Sequence, residues 1–176
     1  MIYNAFFSWK PLLLTRIVGV FTFGIPAILF FIESNKRKPK CNLFFTVCIV
    51  LILYSTIIRG NVGDNPRVEL TPFWSYLHFS EYGIRYQIYM NIFLFIPFGF
   101  LLSWAKKWSM AKVVLTGCIF SILIEATQYI FCLGLSEFDD VFHNTLGTAL
   151  GYWYWRGLEN ISKKRHPHNQ GEENLT

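Results

Sequence analysis

The side chain best placed to do unusual chemistry is Glu125, because it stands inside an apolar run, Ser121-Ile-Leu-Ile-Glu125-Ala-Thr-Gln128. An ionisable group among hydrocarbon side chains is expensive and is expected to face a protein interior or a cavity. Spacings of four and three put Ser121, Glu125 and Gln128 on one helical stripe, which Gly117 and Cys132 extend. Such a group can move a proton, hold an ion or bind a ligand. The plain alternative is an interhelical hydrogen bond made by the neutral acid. A second set follows at Asp139, Asp140 and Asn144, and a third position, Asn91, opens an apolar run of its own. Asp140, Asn144, Gly147 and Gly151 share one helical face, and the two glycines let a neighbouring helix come close, which is simple packing. Carboxylates at a helix start also complement the positive end of its dipole. That accounts for one of the two aspartates, but not for Glu125. His143 reads as a core or interface histidine, with catalysis the minor reading.

The elements that must carry these residues are apolar blocks separated by charge. The 176 residues are 53% apolar and 19% aromatic but only 15% charged, where a soluble domain has about a quarter. The mean hydropathy is +0.34. Five blocks stand out: Leu12 to Ile32, Leu43 to Ile58, Ile88 to Ala105, Met110 to about Leu135, and Val141 to Trp155. A spanning helix takes about 20 residues. The first and fourth blocks pass, and the second and third pass with their flanks. The fifth is short, yet a full helix is favoured over a re-entrant segment, because unpaired backbone groups in lipid are costly. The expected fold is all-α: a polytopic membrane protein of about five transmembrane helices in a compact bundle. Residues 1–67 form a two-helix membrane segment, 68–158 a three-helix core, and 159–176 a polar cytoplasmic tail, disordered from Ser162 onward.

Basic residues set the orientation. Lys36, Arg37, Lys38 and Lys40 follow the first block; Lys106, Lys107 and Lys112 follow the third; Arg156, Lys163, Lys164 and Arg165 follow the fifth. Together they make eleven of the sixteen Lys and Arg, so these links are cytoplasmic. The amino terminus is then outside, against the weaker pull of Lys10 and Arg16, and the carboxyl terminus inside. The net charge of +5 reflects this anchoring and needs no nucleic acid. Asn91, Glu125 and the entry of the fifth block thereby converge in the outer leaflet. Trp104, Trp108, Trp153 and Trp155 are expected as interfacial anchors. The first block carries no small-residue cleavage pattern and reads as a retained helix. Cys41, Cys48, Cys118 and Cys132 lack metal-ligand spacing and read as small core residues. The loop from Gly60 to Gln87 reads as an ordered lid or interfacial segment, where Arg67 or Arg85 can meet an anionic headgroup.

Four ordered motifs give this chain a family likeness. Asn91-Ile-Phe-Leu-Phe-Ile-Pro97-Phe-Gly99 resembles the Asn-to-Pro-x-Gly segment of VanZ-like membrane proteins. Leu70-Thr71-Pro72-Phe73, Glu125-x-x-Gln128 and Asp139-Asp140-x-x-x-Asn144-Thr-Leu-Gly147 match in the same order, so the resemblance covers roughly residues 68 to 155. The first block is an addition upstream. Two departures are Glu137, where the family often has Asp, and the lack of an Arg in Gly134 to Ser136, which removes a cation an anion site would use. The resemblance implies a cell-membrane location and a link to low-level resistance to the glycopeptide teicoplanin; most members have no established biochemical activity.

The leading expectation is a non-transporting protein of the outer leaflet of a bacterial cell membrane. It alters the exposure or handling of a lipid-linked cell-wall component and so limits lipoglycopeptide access. Asn91, Glu125, Gln128, Asp139, Asp140 and Asn144 form its polar pocket, beside a helix shaped by Pro97 and Gly99. Its partners are membrane lipids and a lipid-linked precursor, with a homodimer through the fifth block as a further option. No cofactor or metal is called for, although the acidic cluster offers oxygen ligands to a divalent cation. The alternatives are an enzyme acting on a lipid or polyprenyl-phosphate headgroup through paired carboxylates, and a small proton-coupled transporter using Glu125. The absence of an evident inverted repeat weighs against the transporter.

Overall fold

The computed structural model describes residues 39–58 and 64–165. The first block, with Lys36 to Lys38, Arg59 and the chain beyond Arg165, lies outside the described residues. In order, the chain forms helix α1 (Pro39–Leu53) continued by a π-helical turn (Tyr54–Ile58), strand β1 (Arg67–Glu69), and the short helix α2 (Trp74–Leu77). There follow α3 (Tyr82–Lys106), α4 (Met110–Ile130), strand β2 (Leu135–Glu137) and α5 (Phe138–Arg165). In the wide turn after α1 the Ser55 and Thr56 hydroxyls donate to the carbonyls of Leu51 and Ile52, at 2.7 to 3.0 Å.

The helical expectation holds, with corrections of detail. The fifth block grows to 28 residues, about 42 Å at 1.5 Å per residue, so residues 162–165 are helix where disorder was expected. The third block begins at Tyr82, six residues earlier than its apolar pattern suggests. Pro97 sits buried within α3 without ending it. The two short strands, which no periodicity in the sequence announces, pair in parallel with Arg67 opposite Leu135 and Glu69 opposite Glu137.

Glycines set the spacing of the long helices. A Cβ on Gly147 would stand 2.3 Å from the Ile92 carbonyl oxygen, and one on Gly151 2.1 Å from that of Ile96. From the other side, a Cβ on Gly99 would meet the Thr148 carbonyl oxygen at 2.1 Å, and one on Gly117 the Thr148 hydroxyl at 2.3 Å. The glycine stripe of α5 is thus spent on α3 of the same chain.

The bundle has an apolar core, but one helix departs from water-soluble packing. Phe95, Phe98, Phe100, Leu101, Val113 and Ile124 form one buried core, and Phe98 stacks on Phe120 with ring centres 5.2 Å apart. On α4, however, Ser121 and Glu125 point inward, while Leu115, Ile119, Ile122, Leu123 and Ile130 are 50–69% exposed. A continuous apolar face of this kind is unfavourable in water and natural in lipid. By length and composition α3 and α4 are each apolar enough to cross a membrane. Among the tryptophans, Trp153 is exposed and donates to the Met110 sulfur. Trp155 is corrected from an interfacial anchor to a core residue, 4% exposed.

Candidate functional site

One end of the three long helices carries nearly all the buried polar side chains. Glu125 of α4, Glu137 of β2 and Asp140 of α5 are 6%, 5% and 9% exposed. Glu125 Oε2 accepts from the Glu137 backbone N–H at 2.9 Å, with the Ser136 hydroxyl also acting on it. Opposite, the Gln87 amide of α3 donates to Glu137 Oε1 and to both oxygens of Asp140, each at 3.2 Å. One amide is thus shared over two carboxyls, each contact long for a charge-assisted bond. The Asp140 carboxyl also feels those of Glu125 and Glu137. Burial pushes Glu137, which lies between the helices, above the ordinary carboxyl value; the Gln87 amide opposes that and the nearby Asp139 and Glu69 reinforce it.

One helical turn farther along lies a second polar layer. Asn91 follows Gln87 by four residues, Asn144 follows Asp140 by four, and Ser121 precedes Glu125 by four on a helix running the opposite way. Asn144 donates to the Ser121 hydroxyl at 2.8 Å, leaving Asn144 Oδ1 buried without a partner among the described residues. Asn91 Nδ2 is likewise buried and unpartnered. Below this, the Thr148 hydroxyl donates to the Asn144 carbonyl at 3.0 Å and the glycine-tight seam begins.

The segment from Arg67 to Glu81 covers this end, and α5 grips it. Asp139 Oδ1 accepts from the Phe73 N–H at 2.6 Å, and Oδ2 from the Ser75 N–H at 2.8 Å and from the Ser75 hydroxyl. The carboxylate thereby caps α2 across more than sixty residues of chain, next to Phe73 in the left-handed conformation (φ 62°). One turn on, His143 Nε2 shares a hydrogen bond of 3.0 Å with the Tyr76 hydroxyl. Burial and the Asp139 charge both raise the Tyr76 phenol, which keeps that hydroxyl protonated. Phe73 also packs edge-on against Phe142, ring centres 5.6 Å apart.

The six pocket residues read from the sequence therefore divide. Glu125, Asp140, Asn144 and, by register, Asn91 stand together. Asp139 is committed to the lid. Gln128 turns to the π-helical turn after α1, donating to the Thr56 carbonyl at 2.8 Å, with its Oε1 buried and without a partner among the described residues. Among the loop residues, the Thr71 N–H donates to Glu69 at 2.9 Å, and the Thr71 hydroxyl first and this N–H second hold the Glu69 carboxyl below its ordinary value. Pro72 and Arg67 are exposed. Arg85 closes its own loop, donating to the Phe79 and Ser80 carbonyls at 2.8 Å, and lies over the Phe79 ring. Gln87 and Glu137 were missed as site residues. The four-residue step from Gln87 to Asn91 and the three-residue step from Glu137 to Asp140 are the signals that reveal them.

A helical chain with an exposed apolar face on α4, two helices apolar enough to cross a membrane and buried carboxyls at one end is consistent with a place in a membrane. Residues 41–159 match the family model described as VanZ/LLP1. The chain is 33% identical over 94 residues to Protein VanZ of Enterococcus faecium, a stretch covering 53% of this chain and 54% of that protein. No solved structure matches. The chain belongs to the VanZ/LLP1 family, and membership together with the two apolar helices supports a membrane location.

Proposed function

We propose that this protein works at the outer leaflet of a bacterial cell membrane, where it alters the exposure or handling of a lipid-linked cell-wall component. The effect is low-level protection against teicoplanin and related lipoglycopeptides, the function type that family membership supports. In this reading the chain crosses the bilayer five times, amino terminus outside and carboxyl terminus in the cytoplasm, which follows the basic-residue placement. The acidic end and its lid then lie on the outer side.

The observation that carries the reading is the meeting of Glu125, Glu137 and Asp140, from three separate elements, under a cover clasped by Asp139. Packing alone gives no reason to gather buried carboxyls at one place. A binding pocket does. The second reading, an enzyme acting on a lipid headgroup, draws on the same carboxyls as acid and base.

The test is susceptibility of a sensitive Gram-positive host to teicoplanin and to vancomycin. It compares wild type with Glu125→Gln, Asp140→Asn and Asn91→Ala at equal membrane abundance. The expected result is selective teicoplanin protection by wild type, lost in the variants. A well-expressed wild type that protects against neither drug overturns the reading. A product formed from a lipid headgroup and abolished by Glu125→Gln would favour the enzyme.

A further inference from the structure

On α3 the residues Tyr82, Arg85, Tyr86, Tyr89, Met90 and Phe93 follow one another by steps of three and one, which makes them a single stripe. That stripe lines a surface groove of about 240 Å³. Gln87, which donates to the buried carboxyls, and Asn91, one turn on, each stand two residues from a groove residue, about 200° round the helix at 3.6 residues per turn. The groove therefore opens on the other face of α3. Tyr82 and Tyr89 are 56% and 50% exposed, whereas Asn91 is buried. Of the lining residues Arg85 alone is charged. Its Nη1 donates to the Phe79 and Ser80 carbonyls, and the guanidinium lies 5.8 Å above the centre of the Phe79 ring. These contacts hold the group in place and leave its Nε and Nη2 edge without an acceptor among the described residues. No carboxylate among those residues pairs with it either. Glu81, one turn before, accepts from the Arg85 backbone N–H at 3.2 Å and makes no salt bridge to the guanidinium.

The geometry points to a lipid site in this groove, with the phosphate of a membrane lipid on Arg85 and its apolar chain along Met90 and Phe93. The Nε and Nη2 edge of a guanidinium offers two parallel N–H donors, which suit two oxygens of one phosphate. Tyr82 and Tyr89 add phenol hydroxyls to the wall, and a phosphate has more acceptor oxygens for them than a carboxylate has. From Arg85 to Phe93 the helix rises about 12 Å, and over that length the lining changes from cation and phenol to thioether and phenyl ring. A charged head followed by an apolar chain has the same order. Free phosphate has nothing to set against Met90 and Phe93, and an uncharged lipid has nothing to set against Arg85. A partner helix, about 10 Å across, is too thick for the groove. The placement suits a helix apolar enough to cross a membrane, since the chain then lies in hydrocarbon beside it. It also selects Arg85 over Arg67, which stands exposed on β1. The site is separate from the buried carboxyls and goes beyond the function proposed above.

The experiment follows thermal unfolding of the full chain in a neutral maltoside detergent while one additive is titrated: dioleoylphosphatidylglycerol, dioleoylglycerol, oleate or inorganic phosphate. Phosphatidylglycerol should give a saturable rise of about 3 to 6 °C at ten times the Kd, and the other three no saturable rise. Arg85→Gln should raise the Kd for phosphatidylglycerol at least about tenfold, since it removes a charge-assisted pair of bonds. Arg85→Lys keeps the charge without the fork and should fall between the two. Arg85 also ties down its own loop, so Met90→Trp serves as the second variant. It fills the groove with the guanidinium intact and should raise the Kd by a similar factor. Lys112→Gln removes a cation from α4, outside the groove, and should leave the Kd unchanged. An equal loss in Lys112→Gln overturns the proposal in favour of diffuse charge attraction. Equal stabilisation by inorganic phosphate overturns the lipid, and equal stabilisation by oleate or dioleoylglycerol overturns the phosphate. Wild-type affinity in either Arg85→Gln or Met90→Trp overturns the site itself. Because no antibiotic is involved, failure here leaves the resistance reading standing, and lipid binding without teicoplanin protection refutes only that reading.

Discussion

Asp139 and Asp140 are consecutive residues of α5, yet their surroundings are opposite in kind. Asp139 receives two backbone N–H groups and a hydroxyl, and its neighbour His143 on the same face holds Tyr76. Every contact ties α5 to the covering segment. Asp140 faces the other way, shares one amide with Glu137 and looks toward Glu125. A saturated carboxylate stabilises a fold; an under-supplied one costs stability and is retained for some other use. The difference teaches that adjacent acids in one motif divide the labour, one building the cover and the other furnishing what lies under it.

Removing the support beneath both regions should do the most damage. Gly151→Leu forces a side chain onto the Ile96 carbonyl and the Phe100 N–H, already 2.1 and 2.7 Å from a Cβ. Both are backbone atoms that cannot turn aside, so a loss above about 3 kcal/mol and aggregation on size exclusion in detergent are expected. Asp139→Ala attacks the cover alone. It strands the Phe73 and Ser75 donors and should cost about 3 kcal/mol, with proteolysis appearing between residues 67 and 81 before the helices unfold. Tyr76→Phe removes only the bond to His143, and a loss of about 1 kcal/mol by thermal unfolding is expected.

The smallest effect sharpens the acidic side of the comparison. Glu137 has its folded value raised above the ordinary 4.5, chiefly by burial. A raised acid binds its proton more tightly in the folded state. Its stabilising contribution is therefore full below about pH 4.5 and is lost as pH climbs through the raised value. Unfolding temperature should fall as pH rises above about 4.5, and Glu137→Gln should flatten that slope. An unchanged slope would place the titration elsewhere.

What the sequence made legible was whatever repeats at helical spacing inside apolar blocks. Ser121 and Glu125, Asp140 and Asn144, and the close approach at Gly147 and Gly151 follow from steps of three and four residues. The glycines' partner was not legible, because spacing says that something comes close, not that it is α3. Gln87 was lost because the apolar pattern starts at Ile88, one residue after it, whereas the helix starts at Tyr82. The polar first turns carry no hydrophobic signal. The ladder of β1 on β2 is three residues long, too short for an alternation to register. Asp139 could be seen as a capping residue, but the helix it caps lies 64 residues upstream. Trp155 shows the reverse error, an interface residue by composition that the bundle took into its core.

The most direct measurement is the unfolding temperature of Asp139→Asn beside Asp140→Asn, in phosphatidylglycerol nanodiscs at pH 7. The account predicts a clear fall for Asp139→Asn, which loses a saturated carboxylate, and no fall or a rise for Asp140→Asn, which relieves a crowded one. An Asp140→Asn protein destabilised as much as Asp139→Asn would contradict it, and the acidic cluster would then be part of the scaffold.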